Sequence, residues 1–106
     1  MTPYIVIFTT AETAEDAGHI AEHLVERGLA ACVQVSGPIK SVYRWKGKVE
    51  KADEWLCSVK TAGELYGEAE QAIREVHPYE VPEIVALPIE KGSSDYLLWL
   101  GEQLKQ

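Results

Sequence analysis

The side chains best suited to chemistry lie close together in one short segment of the sequence. His77-Pro78-Tyr79-Glu80-Val81-Pro82-Glu83 brings an imidazole, a phenol and two carboxylates into one stretch, where prolines fix the backbone at two points. These groups suit acid–base chemistry or the binding of a cation, and rigid loops that hold polar groups are common functional sites. The same residues equally fit a structural connection in which the prolines end a helix and set a turn, so both interpretations stay open.

A pair of histidines is a second candidate for metal binding. His19 and His23 stand four residues apart, so on a helix one lies above the other, and such a pair can chelate a divalent transition metal. Their acidic neighbours, among them Asp16 and Glu22, fit a solvated helix surface on which neither histidine has a function. The pair is therefore kept as an alternative site for copper, zinc or nickel.

The sequence contains none of the motifs that mark common catalytic sites. It lacks Gly-x-Gly-x-x-Gly, the P-loop, His-Glu-x-x-His, Cys-x-x-Cys and Gly-x-Ser-x-Gly. No two residues stand out as a nucleophile and its base. We therefore expect no catalytic residues and no enzymatic activity. An enzyme that uses His77, Tyr79 and Glu80 as acid–base groups is the least favoured hypothesis.

Length and charge restrict the classes of protein and partner. The chain has 106 residues, which predicts a single domain over residues 1-106. Ten Lys and Arg against seventeen Asp and Glu give a net charge of −7, which disfavours nucleic acid and anionic membranes and leaves cations as partners. No apolar run approaches the ~18 residues of a membrane span, and no secretion signal is visible, so we expect a cytoplasmic protein.

Hydrophobic periodicity predicts the elements that must position these side chains. Strands are expected at Tyr4–Phe8, at Leu29–Val35 resumed at Ile39–Trp45, at Lys48–Lys60 and at Ile84–Ile89. Helices are expected from Ala14 to a stop at Gly28, from Thr61 to Val76 and from Ser94 to Leu104. The order β-α-β-β-α-β plus one helix predicts an α+β fold, a ferredoxin-like sandwich with a long β2–β3 hairpin and an extra C-terminal helix.

The hairpin around Lys46-Gly47 is longer than the core that its own helices can cover. A two-residue turn pairs Trp45 with Lys48, and it pairs Lys40 with the opposite charge of Asp53. Leu29–Trp45 extends about 56 Å at ~3.3 Å per residue, against ~22 Å for the first helix. The overhang nevertheless carries large apolar side chains, namely Val42, Tyr43, Trp45, Val49 and Trp55. Because a monomer rarely exposes such a patch, we expect self-association, the alternative being a tip that folds back over its own sheet.

The same register predicts that Cys32 and Cys57 are unpaired. It sets Cys32 opposite Thr61 and Cys57 opposite Ser36, which separates the two thiols by ~13 Å along the strand. A bulge would change this distance by a residue or two, whereas a disulfide needs Cα atoms within about 7 Å. Both cysteines are interpreted as small buried hydrophobic residues.

Several spaced motifs run through nearly the whole chain. They are Leu29-Ala-Ala-Cys-Val33, Ser41-x-Tyr43-x-Trp45-x-Gly47 with Glu54, Lys60-Thr61, His77-Pro78-Tyr79-Glu80-x-Pro82-Glu83-Ile84 and Tyr96-x-x-Trp99. Together they resemble the CutA divalent-cation tolerance family of the bacterial type. The resemblance implies a ferredoxin-like protomer similar to the PII signalling proteins. It also implies a homotrimer whose long hairpins interlock, with an interface that includes Tyr43, Trp45, Val49 and Trp55.

The resemblance further implies where ligands bind. A cleft between subunits would bring together Tyr43, Trp45, Glu54, Tyr79 and Glu80. In the family's copper-binding pattern a cysteine ends the first strand and two adjacent histidines precede the proline. Here Thr9 and Val76 replace two of these ligands and only His77 is left, so we expect weak binding of Cu2+ and no obligatory cofactor.

The function implied by the resemblance is that of a homotrimeric, cytoplasmic divalent-cation tolerance protein. Its expected partners are further copies of the same chain and divalent metal cations, with no nucleic acid and no membrane. The alternative is a PII-like signalling trimer that binds a small molecule in its intersubunit clefts. A nucleotide is the less favoured ligand for that alternative, because the sequence has no glycine-rich phosphate loop.

Overall fold

A four-stranded antiparallel sheet and three helices make up the computed structural model, which describes every residue from Met1 to Gln106. The strands are β1 (Tyr4–Ala11), β2 (Cys32–Trp45), β3 (Lys48–Ala62) and β4 (Val85–Pro88). The helices are α1 (Ala14–Glu26), α2 (Tyr66–Val76) and α3 (Ser94–Glu102), with a short 3-10 turn at Gly63–Leu65 before α2. The sheet order is β2-β3-β1-β4. The predicted α+β class is confirmed. None of the helices is long and apolar enough to cross a membrane.

Local sequence chemistry sets the ends of α1. The Thr13 hydroxyl accepts a hydrogen bond from the backbone N–H of Asp16 at 3.0 Å, as an N-cap does. At the other end Gly28 adopts a positive φ of 69°, a conformation that glycine takes without a Cβ penalty. Ile20 and Leu24 face inward and are fully buried. The predicted helix and its stop signal are therefore confirmed.

Two predicted boundaries were wrong because strand pairing continues further than the apolar runs. The first strand was predicted to end at Phe8, but Thr9–Ala11 pair with Trp55–Cys57 of β3 and extend β1. Thr61 was predicted to open the second helix, but it pairs with Ile5 inside β3. The helix α2 begins later, at Tyr66, after the 3-10 turn. Backbone pairing with a neighbouring strand overrides local propensity at both places.

The edge strand β4 is shorter than predicted, and this leaves part of β1 open. Ile84–Ile89 was expected as the strand, but regular pairing covers only Val85–Pro88, against Ile5–Phe8. Beyond Phe8 the outer edge of β1 therefore has no strand beside it. The segment that leads into β4 fills this place, as described below.

The long hairpin has the predicted register at its tip. Trp45 pairs with Lys48 and Tyr43 with Glu50, and the Lys40 ammonium lies 2.7 Å from the Asp53 carboxylate. A register shift between Ser36 and Ile39 moves the remaining pairs by one residue. These pairs include those of the two cysteines.

Both cysteines are free, as predicted, although their neighbours differ from the predicted ones. The register shift places Cys32 opposite Lys60 and Cys57 opposite Val35. Cys57 is buried and its thiol contacts the Ala17 carbonyl oxygen at 3.6 Å. Cys32 was predicted to be buried, but it is only half-buried because β2 is an edge strand.

The hairpin leaves large apolar side chains in solvent in the single chain. The fold is elongated, with extents of 45 × 25 × 22 Å. Val42 is 63% exposed and Val49 61% exposed, and Tyr43 and Trp45 are more than a third exposed. Trp55 differs from them because it is half-buried and packs against the core. The tip therefore does not fold back to cover its own apolar residues.

One core joins the sheet to its helices, and two hydroxyl groups inside it lack partners. The side chains of Thr9 and Thr61 are fully buried, and neither hydroxyl oxygen makes a hydrogen bond. A buried polar group without a partner carries its desolvation cost uncompensated. These hydroxyls are points at which the chain can be stabilised by substitution.

We expect Thr61→Val to raise the free energy of unfolding by about 1 kcal/mol, because a methyl group then replaces the unpartnered hydroxyl. The matched control is Thr2→Val, which removes a hydroxyl that donates to the Ile89 carbonyl oxygen and should lower stability. Urea unfolding of both variants provides the measurement. A Thr61→Val variant less stable than the parent would show that this hydroxyl has a partner in solution.

Candidate functional site

His77 fastens the segment after α2 to the open edge of β1. Its Nε2 lies 2.8 Å from the carbonyl oxygen of Thr10, and its Nδ1 lies 3.2 Å from the backbone nitrogen of Tyr79. A carbonyl only accepts and a backbone N–H only donates, so Nε2 carries the proton and Nδ1 supplies the lone pair. The residue is 9% exposed. Both ring nitrogens are therefore engaged in holding the loop.

Tyr79 carries the connection on to the hairpin. Its ring centroid lies 4.8 Å from that of His77, and its hydroxyl donates to Glu54 Oε2 at 2.8 Å. Glu54 lies on β3 and is 8% exposed. It forms none of the ion pairs of the chain. The loop, β1 and β3 are thus joined by a relay that consists of the side chains of His77, Tyr79 and Glu54 and the backbone carbonyl of Thr10.

The relay borders an open groove of about 490 Å³ between the loop and the hairpin. All five residues predicted for the cleft line it, namely Tyr43, Trp45, Glu54, Tyr79 and Glu80. The other lining residues are Thr10, Ser41, Val42, Val81 and Glu83. The structure therefore brings the predicted cleft residues together within one chain. Their position between subunits stays a prediction.

The lining of the groove is acidic and aromatic. Glu54, Glu80 and Glu83 line it, and no Lys, Arg or His does. Glu83 belongs to the proline-rich segment, but it was not among the residues predicted for the cleft. Ser41 belongs to a quoted family motif but was not predicted for the cleft, although the hairpin register, which pairs it with Ala52, places it on the face that carries Tyr43. Thr10 had no distinguishing signal. The groove is suited to attract cations.

Burial and the neighbouring Glu54 carboxylate hold the pKa of Tyr79 well above its ordinary value of 10.0. Desolvation is the largest cause, and the hydrogen bond to Glu54 and the charge of Glu54 add to it. Tyr79 therefore stays a hydrogen-bond donor over the whole physiological pH range.

We expect an alkaline absorbance titration to show at least one of the five tyrosines ionising late. Because folding raises the pKa of Tyr79, its contribution to stability is complete below about pH 10 and is lost as pH rises through the folded value. Tyr79→Phe should reduce the late absorbance change by one tyrosine, because burial and the Glu70 carboxylate raise the pKa of Tyr66 as well, and Glu54→Gln should move the Tyr79 step to lower pH. The control Glu90→Gln leaves it unchanged. Five tyrosines that ionise together in the folded protein would contradict the relay.

The residues of one chain do not form a tight copper site. No group of three or more His, Cys, Asp or Glu side chains converges to hold a metal ion. A metal at His77 would have to displace Thr10 or Tyr79 from the ring. Neither Thr9 nor Val76 adds a ligand. The Thr9 side chain is fully buried, and the Val76 side chain, at the end of α2, has no atom that can bind a metal. His77 as a metal ligand stays a prediction that this geometry disfavours.

The histidine pair on α1 is in a different setting from an open chelating site. His23 Nε2 lies 3.4 Å from a Glu75 carboxylate oxygen and 3.3 Å from an Arg27 guanidinium nitrogen. Arg27 also donates to Glu75 at 2.9 Å. A metal ion at His23 would therefore lie beside a positive charge, which weakens this alternative.

Fold and site together define a class of protein: a small α+β protein with a long exposed hairpin and an acidic, aromatic groove. The chain belongs to the CutA1 divalent ion tolerance protein family, whose model matches residues 5–103. The predicted family is thereby confirmed.

Relatives and solved structures agree with this membership. The divalent-cation tolerance protein CutA of Thermus thermophilus is 44% identical over 92% of this chain and 94% of its own length. Its solved structure superposes with a TM-score of 0.93 at 42% identity, over 96% of this chain and 99% of that one. The CutA1 structure from Oryza sativa gives a TM-score of 0.96 at 36% identity, over 99% of this chain and 96% of that one.

Some relatives are longer than this chain. The Protein CutA homolog of Xenopus laevis is 45% identical over 90% of this chain, but that match covers only 63% of the Xenopus protein. The activity and partners of these longer proteins are therefore only proposals for this chain.

Proposed function

We propose that this chain is a divalent-cation tolerance protein that works as a homotrimer and binds copper or other divalent metals weakly. The observation that carries the proposal is the family match over residues 5–103. The acidic groove supports it, because three carboxylates without a lining cation draw positive ions toward this part of the surface. The role proposed is binding, without catalysis.

The proposed assembly is a PII-like trimer of ferredoxin-like protomers. The strand order β2-β3-β1-β4 and the connection order of the elements support the ferredoxin-like description. The exposed apolar hairpin supports self-association, since Val42 and Val49 are more than half exposed in the single chain. In this assembly the groove becomes a cleft between subunits.

The proposed metal binding is weak because the ligands are oxygen atoms spread along the groove. Carboxylates suit hard, hydrated cations, and one or two of them hold such ions loosely. Glu80 and Glu83 are the exposed candidates. His77 joins them only if one of its present partners leaves the ring.

The proposed location is the cytoplasm. Relatives differ in this respect: the Archaeoglobus fulgidus structure is described as that of a periplasmic protein, and an Arabidopsis thaliana relative is named chloroplastic. No observation favours a signalling role for this trimer.

The test combines growth with binding. In a bacterial host that lacks its own member of the family, expression of this chain should raise the Cu2+ concentration that halves growth. The Glu80→Gln/Glu83→Gln variant should lose most of that gain, and Glu90→Gln should keep it. Calorimetry should show weak Cu2+ binding with the same ranking. Unchanged growth together with no measurable binding would refute the proposed function.

A further inference from the structure

The groove is larger than a metal ion needs and its ligands are too dispersed to share one. Its volume of about 490 Å³ lies within the range of pockets that hold small organic molecules. Three carboxylate residues line it, yet no three acidic, His or Cys side chains converge on one point. A single compact ion therefore leaves most of these carboxylates without a cationic partner. A ligand whose positive charges are spread along its length would meet several of them.

Glu54 provides an independent sign of a missing cation. It is 8% exposed and forms no ion pair. Tyr79 donates to its Oε2, whereas its Oε1 accepts no hydrogen bond within the chain. A buried carboxylate without a cationic partner is costly. Oε1 is not a buried atom, so a cationic ligand in the groove that Glu54 lines could reach it and supply the missing charge.

The aromatic residues of the groove add a second type of cation contact. Tyr43, Trp45 and Tyr79 line it together with the carboxylates. The Lys46 ammonium lies 5.8 Å from the centroid of the Trp45 ring, so Trp45 already has a cationic partner and Tyr43 and Tyr79 are the other rings of the groove that a ligand could use. Ring faces attract ammonium groups and also cover the carbon chain between them. This combination suits an alkyl ammonium better than a hydrated metal ion.

We propose that the groove binds a short linear organic dication of the diamine or polyamine class, with one ammonium group at Glu54 and another at Glu80 or Glu83. The alkyl chain between the ammonium groups lies against the aromatic side chains. This ligand class goes beyond the proposed metal tolerance, and either proposal can fail while the other stands.

Calorimetry on the 106-residue chain tests the proposal with 1,4-diaminobutane and spermidine as probes. We expect saturable binding of one molecule per chain. The monoamine 1-aminobutane should bind about tenfold or more weakly, because it satisfies one carboxylate only. The uncharged 1,4-butanediol should not bind. Equal heats for the diol would overturn the proposal. No heat for either amine would also overturn it, even if the cause is that a neighbouring chain fills the groove.

Variants locate the binding. Glu54→Gln keeps an acceptor for Tyr79 and removes the buried charge, and it should weaken diamine binding about tenfold or more. Glu80→Gln/Glu83→Gln changes only exposed residues, so it tests the groove even if Glu54→Gln fails to fold. Glu90→Gln removes one exposed negative charge outside the groove and should bind as the parent does. Equal weakening in Glu90→Gln and the groove variants would reduce the effect to overall charge and overturn the proposal.

Discussion

Replacing His77 with alanine is expected to lower the free energy of unfolding by about 2–4 kcal/mol, with or without added metal. The imidazole donates to the Thr10 carbonyl and accepts from the Tyr79 N–H. Its removal leaves the buried Thr10 carbonyl and the part-buried Tyr79 N–H without partners, and a buried group without a partner costs about 1–3 kcal/mol. Urea unfolding at fixed protein concentration provides the measurement.

Two further variants separate this structural role from a general effect of losing a histidine. His19→Ala removes an exposed imidazole that makes no hydrogen bond, and it should change stability by less than about 0.5 kcal/mol. His77→Gln offers an amide donor near the place of Nε2 and should recover part of the loss. If His77→Ala were as stable as the parent without metal, and less stable only with Cu2+, the ring would be a metal ligand and not a fastener of the loop.

Placing a glutamate at the hairpin tip is expected to abolish assembly. We expect the parent chain to sediment with three times its 11.8 kDa mass and the Val49→Glu variant to sediment as a monomer. Val49 is 61% exposed in the single chain, so burying it between copies stabilises the trimer by about 1.5–3 kcal/mol per chain. A carboxylate at the same place must instead be desolvated, which reverses the sign of the contribution.

The matched control is the same substitution on α1. Val25 is 45% exposed and belongs to α1, outside the residues proposed for the interface, so Val25→Glu should leave the assembly intact. Analytical ultracentrifugation of the three proteins at several concentrations gives the masses. A parent chain that sediments at 11.8 kDa, or a trimeric Val49→Glu variant, would contradict the proposed interface.

The predictions that came from short-range chemistry agree with the structure. The start of α1 at Ala14, the stop at Gly28 and the two-residue turn before Lys48 each depend on a few adjacent residues. The turn also sets the register of the hairpin tip, and the register in turn places the predicted cleft residues on one face. The motifs that matched a family then added Tyr79 and Glu80 to the same groove.

The predictions that failed depend on contacts between distant parts of the chain. Thr9–Ala11 became strand because β3 lies beside it, and no local signal shows that. The register shift falls at the predicted break between Val35 and Ile39, but its size of one residue, which changed the cysteine pairs, does not follow from a count from the turn. The partners of His77 come from Thr10 and Tyr79. Residue type alone identified His77 as a candidate ligand but not the bonds that occupy both of its nitrogens.

The central claim is that cations bind to the carboxylates of the groove, whereas His77 fixes the loop after α2 to β1 and binds no metal. Electron paramagnetic resonance of Cu2+ bound to the His19→Ala/His23→Ala variant tests this claim directly, because nitrogen ligands split the copper signal. We expect a spectrum of oxygen ligands without nitrogen splitting, and we expect Glu80→Gln/Glu83→Gln to remove the bound copper. Nitrogen splitting that disappears when His77→Gln is added would place the metal on His77 and contradict the claim.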